Sequence, residues 1–516
     1  MLTELLILGS YGLIFILLAI YGFHRSLLVY LYFKHKHNVP KPLAHFDDEA
    51  LPRVTIQLPV FNELYVAERL LDAVAKIEYP RDRLDIQVLD DSTDETTGIC
   101  RRKVAELKGT GLDIEYIHRT DRTGFKAGAL DNGLKTSKGE FVMIFDADFI
   151  PQSSVVMECI HHFTDPKIAV VQARWGHLNY DHSALTRVQA LMLDGHFIIE
   201  HTARCRSGRF FNFNGTAGIW RRTAIDDAGG WEHDTLTEDM DLSYRAQLKG
   251  WRFVYLKDVV VPAELPVEMN AFKSQQFRWA KGSIQNARKI LPRVLRSDVS
   301  FSQKVETFFH LTNNFAYPLL LLLSLLLLPC LMLRSTHGWR EVMLVDLPLF
   351  FGTTLSVCTF YLTTQREEGT RSLWWGLKQL PLLLAVGIGL SVNQTRAVFE
   401  ALLGRESEFV RTPKHGVVGK VQDWHARRYR GAVTVVPFIE AGMAMYFVVT
   451  LGLAIWAQRF VSAPFVLLFG GGFTYVGLLS LSHGYGGRKR KTAATGSALE
   501  LGPERELVEA RVQARR

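Results

Sequence analysis

Phe141-Val142-Met143-Ile144-Phe145-Asp146-Ala147-Asp148 is the stretch whose reading settles the fold of this chain. Five apolar residues in a row predict a short buried strand, and two aspartates follow its C-terminal end. Open α/β sheets bind their ligands at that end. Two hard oxygen ligands one residue apart suit Mg²⁺ or Mn²⁺, which keep several waters and bind substrate phosphates. A solvated strand-end turn carries the same residues without any chemistry, so the flanking sequence decides.

Upstream, Val54–Leu58 reads as a strand, Pro59–Glu63 as a turn, and Leu64–Ile77 as a helix with Leu70, Leu71, Val74 and Ile77 at helical spacing. Asp85–Leu89 is the next strand and ends on Asp90-Asp91-Ser92. A carboxylate there can accept from a nucleobase N–H or a ribose hydroxyl; the same residues also cap a helix over about Thr93–Leu107. Ile114–Ile117 adds a further strand, so strands and helices alternate over about Arg53–Pro292. Gly124-Phe125-Lys126-Ala127-Gly128 opens a helix and lets Lys126 approach a phosphate, although a plain loop-to-helix junction looks the same.

Downstream, Thr237-Glu238-Asp239 precedes a helical Met240–Tyr244. Asp239, with Glu238 beside it, is a candidate general base for an acceptor hydroxyl. An acidic first helical turn is also favoured by the helix dipole alone. Gln275, Arg278 and Trp279 share one broad helix face. The guanidinium can neutralise a diphosphate, and the indole offers a flat apolar face to a sugar.

The apolar residues, 48% of 516, gather at the two ends of the chain and leave a polar middle. Leu5–Tyr32 is long enough to cross a bilayer and is followed by Lys34–His37, which marks a retained anchor with a cytosolic basic flank. Later candidate spans are Phe308–Leu333, Val342–Leu362, Val433–Ala457 and Ala463–Ser482. Leu377–Leu403 is expected to lie in the interface or to re-enter, because Ser391–Arg396 interrupts it and a full crossing would put Arg488–Lys491 outside. The net charge of +8 is explained by such juxtamembrane clusters, and nucleic acid is not expected as a partner. Five cysteines without ligand spacing fit reduced thiols.

These divisions predict an anchor over 1–35, a catalytic domain over 50–293 and a membrane region over 300–483 that includes the segment 377–416. A mobile cytosolic tail is expected over 484–516, with a short helix near Glu504–Arg511.

Asp90-Asp91, Asp146-Ala-Asp148, Thr237-Glu-Asp239 and Gln275-x-x-Arg278-Trp279 occur in the order found in processive family 2 glycosyltransferases. The chain resembles the cellulose synthase superfamily, and within it the cellulose synthase-like glucomannan and glucan synthases. The resemblance runs over about Leu51–Gln285. It implies an α/β GT-A domain set in an α-helical transmembrane region, and inverting transfer from a nucleotide-diphosphate sugar to a growing β-linked polysaccharide. It assigns Asp90 or Asp91 to the nucleoside, Asp146 and Asp148 to diphosphate and metal, Asp239 to the base, and Gln275, Arg278 and Trp279 to the acceptor end. Phe210–Trp220 is similar to the family's acceptor loop, with Asn214 where the cellulose-synthase form has cysteine. Phe409-Val-Arg-Thr-Pro-Lys414 resembles its gating loop, which makes Lys414 a diphosphate ligand.

The expected partners are a nucleotide sugar (UDP-glucose or GDP-mannose), a polysaccharide acceptor and the lipid bilayer; no partner subunit is indicated. Asn314, Tyr317, Trp374 and Trp375 are candidate channel-lining residues. A bacterial inner membrane is favoured over a Golgi membrane. The rival readings are a lipid glycosyltransferase of the ceramide glucosyltransferase kind and a transporter with a decayed catalytic domain. The second predicts lost carboxylates, whereas all are present.

Overall fold

The computed structural model describes residues 2–333, 347–407, 409–420, 424, 427–431 and 434–500. Its polar middle folds around one seven-stranded mixed sheet in the order β3-β2-β1-β4-β6-β5-β7. The strands are β1 Val54–Val60, β2 Leu84–Asp90, β3 Ile114–His118, β4 Phe141–Ile144, β5 Ile168–His177, β6 Gly218–Arg221 and β7 Arg252–Ala263. β3, β2, β1 and β4 run parallel. β6 is antiparallel to both β4 and β5, and β7 returns parallel to β5.

Both faces of the sheet are covered, and the alternation along β4 shows how. Phe141, Met143 and Phe145 join the core on one face, with Ile56, Leu58 and Val88. Val142 and Ile144 join the other, with Leu130 and Trp220. The second face also carries a buried polar ladder. Thr55 donates to Asp85 at 2.8 Å and Gln57 to Gln87 at 3.0 Å, so the donors there are paired. The helix Phe125–Leu134 lies close over that ladder, because a Cβ on Gly133 would stand 2.5 Å from Gln57 Nε2.

The expected strands and helices are present with shifted ends. The helix expected over Leu64–Ile77 spans Ala67–Val74, and the one over Thr93–Leu107 spans Thr96–Gly109. The Gln275–Trp279 motif lies on a long helix, Met269–Arg296.

Among the described residues, four helices are long and apolar enough to cross a membrane: Leu2–His35, Phe301–Leu333, Val436–Trp456 and Ala463–Gly484. The span expected over Val342–Leu362 begins outside the described residues; the helix Leu347–Glu368 is not among the four. The difficult segment is a bent pair, Leu373–Gly389 and Ser391–Leu402, kinked by 42°. The break falls at Leu390, one residue before the expected interruption. The last helix runs on from Ala463 through Glu500, beyond the expected start of the tail, and Glu504–Arg511 lies outside the described residues.

The sheet domain sits directly on these helices. Leu28 and Tyr32 of the first helix, Leu185 to Ile199 of a connecting segment, Phe272, Phe360, Leu383 and Val476 form one apolar cluster. Inside it, Lys273 and Glu440 pair at 2.7 Å with both side chains almost fully buried, tying the Trp279 helix to Val436–Trp456.

Candidate active site

A cavity of about 190 Å³ opens at the C-terminal ends of β1, β2 and β4. Asp91, Lys126, Asp146, Asp148, Glu238, Asp239, Gln275, Arg278, Trp279 and Lys414 all line it. Of the residues assigned from sequence, only Asp90 is absent. It is the last residue of β2 and has no exposed surface; it accepts from the Tyr116 hydroxyl at 2.6 Å and from the Ser92 N–H at 2.9 Å. Asp91, one residue on, turns the other way and takes a bidentate Arg119 contact at 2.5 and 2.9 Å. The pair therefore divides into a buried brace and a cavity-facing carboxylate.

The two carboxylates after β4 each meet a lysine. Lys126, from the first turn of Phe125–Leu134, contacts Asp146 and donates to the Gly215 carbonyl at 2.9 Å. Lys414 reaches Asp148 at 2.5 Å and the Glu264 carbonyl at 3.1 Å. Burial works against the Lys126 charge, but Asp146, Glu238 and Asp239 outweigh it and the net shift is upward.

Lys414 is held by a loop that closes one wall of the cavity. Arg411 forms a bidentate pair with Glu63 at 2.8 and 2.9 Å. Both Glu264 carboxylate oxygens accept loop N–H groups, from His415 and Gly416, at 2.8 Å. Arg278 donates to the Val410 carbonyl at 3.2 Å and lies 4.6 Å from the Phe409 ring centroid. Burial raises Glu63 to about 7 despite its arginine partner. Glu63, Glu264 and Arg411 were not singled out in the sequence. Their signal was the proximity of Arg411 to Lys414, and of Glu63 to the turn after β1.

Asp239 lies in the first turn of the helix Glu238–Leu248 and accepts the Met240 N–H at 2.8 Å. Burial and the neighbouring Glu238 carboxylate push it up to about 7 against the pull of Lys126. Burial raises Glu238 as well. An aspartate near 7 is poised to take a proton at neutral pH.

A second cavity, of about 620 Å³, starts at the same wall. Trp175, Leu193, Asn214, Thr237, Asp239, Gln275 and Trp279 line both cavities, so the two are contiguous. The larger one continues among the apolar helices past Asn314, Tyr317, Leu327, Phe360 and Phe469. Asn314 and Tyr317 thus line it as expected. Trp374 and Trp375 do not; Trp374 is 65% exposed on the outside, and Trp375 packs on Tyr180.

Asp146 and Asp148 offer two hard oxygens beside cationic side chains, a donor set that suits a divalent cation bound together with a diphosphate. A different trio, Glu232, Asp234 and Asp241, also has ligand spacing. Lys289 fills it, at 2.5 Å from Glu232, 2.7 Å from Asp234 and 2.9 Å from Asp241.

A family profile described as glycosyltransferase like family 2 matches residues 52–282. The chain is 43% identical over 274 residues to the probable glucomannan 4-beta-mannosyltransferase 7 of Oryza sativa subsp. japonica, covering 51% of this chain and 47% of that protein. In that relative the match therefore spans about half of its length. Glucomannan 4-beta-mannosyltransferase 1 of the same rice is 36% identical over 388 residues, 73% of this chain and 72% of its own. Glucomannan 4-beta-mannosyltransferase 9 of Arabidopsis thaliana is 34% identical over 396 residues, with 75% and 72% covered. Among solved structures, the mannosyltransferase PcManGT from Pyrobaculum calidifontis, in complex with GDP-Man and Mn²⁺, superposes with a TM-score of 0.52 at 22% identity. It covers 77% of this chain and 100% of its own, and shares the GT-A fold. With its ordered motifs, GT-A sheet and membrane helices, the chain belongs to the family 2 glycosyltransferases, of the cellulose synthase-like type.

Proposed function

We propose that this protein is a membrane-embedded, inverting hexosyltransferase that extends a β-linked polysaccharide and feeds the product into its own membrane cavity. The observation that carries the reading is the wall that the two cavities share at Asp239 and Trp279. A donor bound among Asp146, Asp148, Lys126 and Lys414 would lie on one side of the base, and an acceptor chain on the other.

In this reading Asp91 faces the nucleoside and the two lysines meet diphosphate charge. Lys126 and Arg278 sit within the same carboxylate cluster, where a low dielectric strengthens each contact. Asp146 and Asp148 would hold Mg²⁺ or Mn²⁺, which supplies charge neutralisation to the leaving nucleoside diphosphate. Asp239 takes the proton of the attacking hydroxyl, and its raised pKa matches that task. Trp279 provides an apolar face for the terminal sugar. The loop at Lys414 excludes water once the donor is in place, and it must lift to exchange it.

The names of the relatives, glucomannan 4-beta-mannosyltransferases, favour a mannosyl donor such as GDP-mannose and a β-1,4 linkage. The basic flanks favour a cytosolic catalytic domain. A second reading rests on the apolar part of the larger cavity, where Leu18, Leu320, Leu323, Val466 and Phe469 offer a surface for an acyl chain and so for a lipid acceptor.

Purified protein incubated with Mg²⁺ or Mn²⁺ and, separately, labelled GDP-mannose and UDP-glucose tests both readings. Long polymer from one donor, absent from Asp239→Asn, is expected. Label confined to a lipid or to a single sugar would replace the first reading with the second.

A further inference from the structure

The helix Met269–Arg296 carries Gln275, Arg278 and Trp279 on one face. Seven residues further on, that face continues as Gly282, Gln285 and Asn286, with Lys289 a turn beyond. Seven residues make nearly two full turns, so both sets point nearly the same way, about 10 Å apart along the axis. The first set lines the cavities. The second grips the residues on either side of Asp239.

Asn286 has no exposed surface. Its Nδ2 lies 2.9 Å from Thr237 Oγ1, 3.3 Å from the Thr237 carbonyl and 3.1 Å from the Gly282 carbonyl. Carbonyl oxygens only accept, so the amide nitrogen must face them and the orientation of Asn286 is settled. A Cβ on Gly282 would stand 2.5 Å from Thr237 Oγ1, so the helix backbone itself presses on this threonine. Beside it, Gln285 Oε1 accepts the Leu236 N–H at 2.9 Å. On the far side of the base, Lys289 meets the buried Asp241 at 2.9 Å.

Thr237 is the N-cap of the helix Glu238–Leu248, yet its side chain makes no capping bond. A capping threonine accepts an N–H from the first turn of its own helix. Here that oxygen takes the Asn286 amide instead, which ties the start of the short helix to the long one. Asp239 is the second residue of the short helix and sits between the ties. The long helix is held in its turn. Lys281 pairs with Glu400 at 3.0 Å, and Ser283 donates to the Leu311 carbonyl at 3.0 Å.

We propose that Asn286 and Lys289 are positioning residues for the base, holding Asp239 at a fixed distance from the acceptor face at Trp279. Neither lines either cavity, so their effect passes through the backbone around Asp239. This rests on the reading of Asp239 as the base. Misplacing a reacting group by about 1 Å costs about 10²-fold in rate.

The test uses the full chain in detergent micelles and the donor that the wild type turns over, GDP-mannose or UDP-glucose. The kcat is expressed per donor-binding site, counted by titration calorimetry, so that misfolded protein does not enter it. Asn286→Ala is expected to lower kcat about 10- to 100-fold and to change the donor KM less than about twofold. The acid limb of its pH profile should stay where the wild type has it, because the charges around Asp239 are untouched. Lys289→Met should lower kcat about three- to tenfold. It leaves Asp241 paired with Arg245 at 2.7 Å, so the fold survives. Lys289→Arg should recover most of that loss, since it returns a cationic donor to Asp241.

A kcat within about twofold of the wild type in Asn286→Ala, or a loss carried by the donor KM, overturns the proposal. So does a displaced acid limb, or a Lys289→Arg no better than Lys289→Met. If Asn286→Ala does not fold, the two Lys289 variants decide alone. Asp239→Asn, run alongside, separates the two ideas. A rate close to the wild type there removes the base and takes this inference with it. A lost rate there beside an unchanged Asn286→Ala overturns this inference alone.

Discussion

Around the smaller cavity most acids face a base: Asp146 meets Lys126, Asp148 meets Lys414, Glu63 meets Arg411 and Asp91 meets Arg119. The larger cavity is different. Leu18, Leu320, Leu323, Leu327, Val466 and Phe469 line much of it, with polar residues such as Gln275, Tyr317, Thr353 and Arg459 among them. A matched set of charges in a closed space binds one compact anion tightly and in one orientation. Long apolar walls give weak contacts without direction, which let a chain move along them without settling. On the proposed function, the contrast separates a site that holds the donor from a path that releases the product, with Asp239 and Trp279 on the boundary.

The largest expected effect lies on that boundary. Asp239→Asn should lower kcat about 10²- to 10⁴-fold while nucleoside diphosphate still binds, as titration calorimetry would show. The pH profile of the wild type supplies the same test without mutation. A base raised to about 7 is protonated and inactive below that pH, so the rate should fall about tenfold for each unit below it. A rate flat down to about pH 5 would remove Asp239 from the role.

On the holding side, Lys126→Met and Lys414→Met should each raise the donor KM about 10- to 100-fold, the cost of one charged hydrogen bond. Lys126 carries a second signature. Its cation draws the Asp239 pKa down, so removing it should move the acid limb of the profile upward. Lys414 pairs with Asp148 instead, so its removal should leave the limb in place, and a shift of equal size in both variants would blur the distinction. Across the boundary, Trp279→Ala should raise the acceptor KM about tenfold through the loss of an apolar stacking face, with a smaller change for the donor.

The sequence carried most of the holding site and little of the path. Asp146, Asp148, Lys126 and Asp239 were legible because each follows a strand end or opens a helix, where local pattern fixes the direction of the side chain. Asp90 and Asp91 were legible only as a pair, since the period-two alternation of β2 decides which one faces in, and that depends on where the strand stops. Glu63 and Arg411 are 348 residues apart, and no local pattern joins them. The path was harder still. Leu- and Phe-rich spans look alike all round, so Tyr317 and Trp374 could not be told apart before helix packing was known.

The smallest effect on rate comes from the path itself, and it is the sharpest test of the contrast. Gly387 lines the larger cavity, and a Cβ added there meets no atom within 4 Å. A Cβ can therefore be added to the helix Leu373–Gly389 at this position without a clash, which makes it the place to test the cavity with a larger side chain. Gly387→Trp should shorten the product several-fold, measured by gel filtration of labelled polymer. The initial rate should fall less than about threefold, because nothing in the charged cavity is touched and kcat follows the contacts made in the transition state. A fall in rate as large as the fall in length would mean that the two cavities act as one site. Product of unchanged length would mean that the chain leaves by another route, and the larger cavity would then be better explained as a lipid groove.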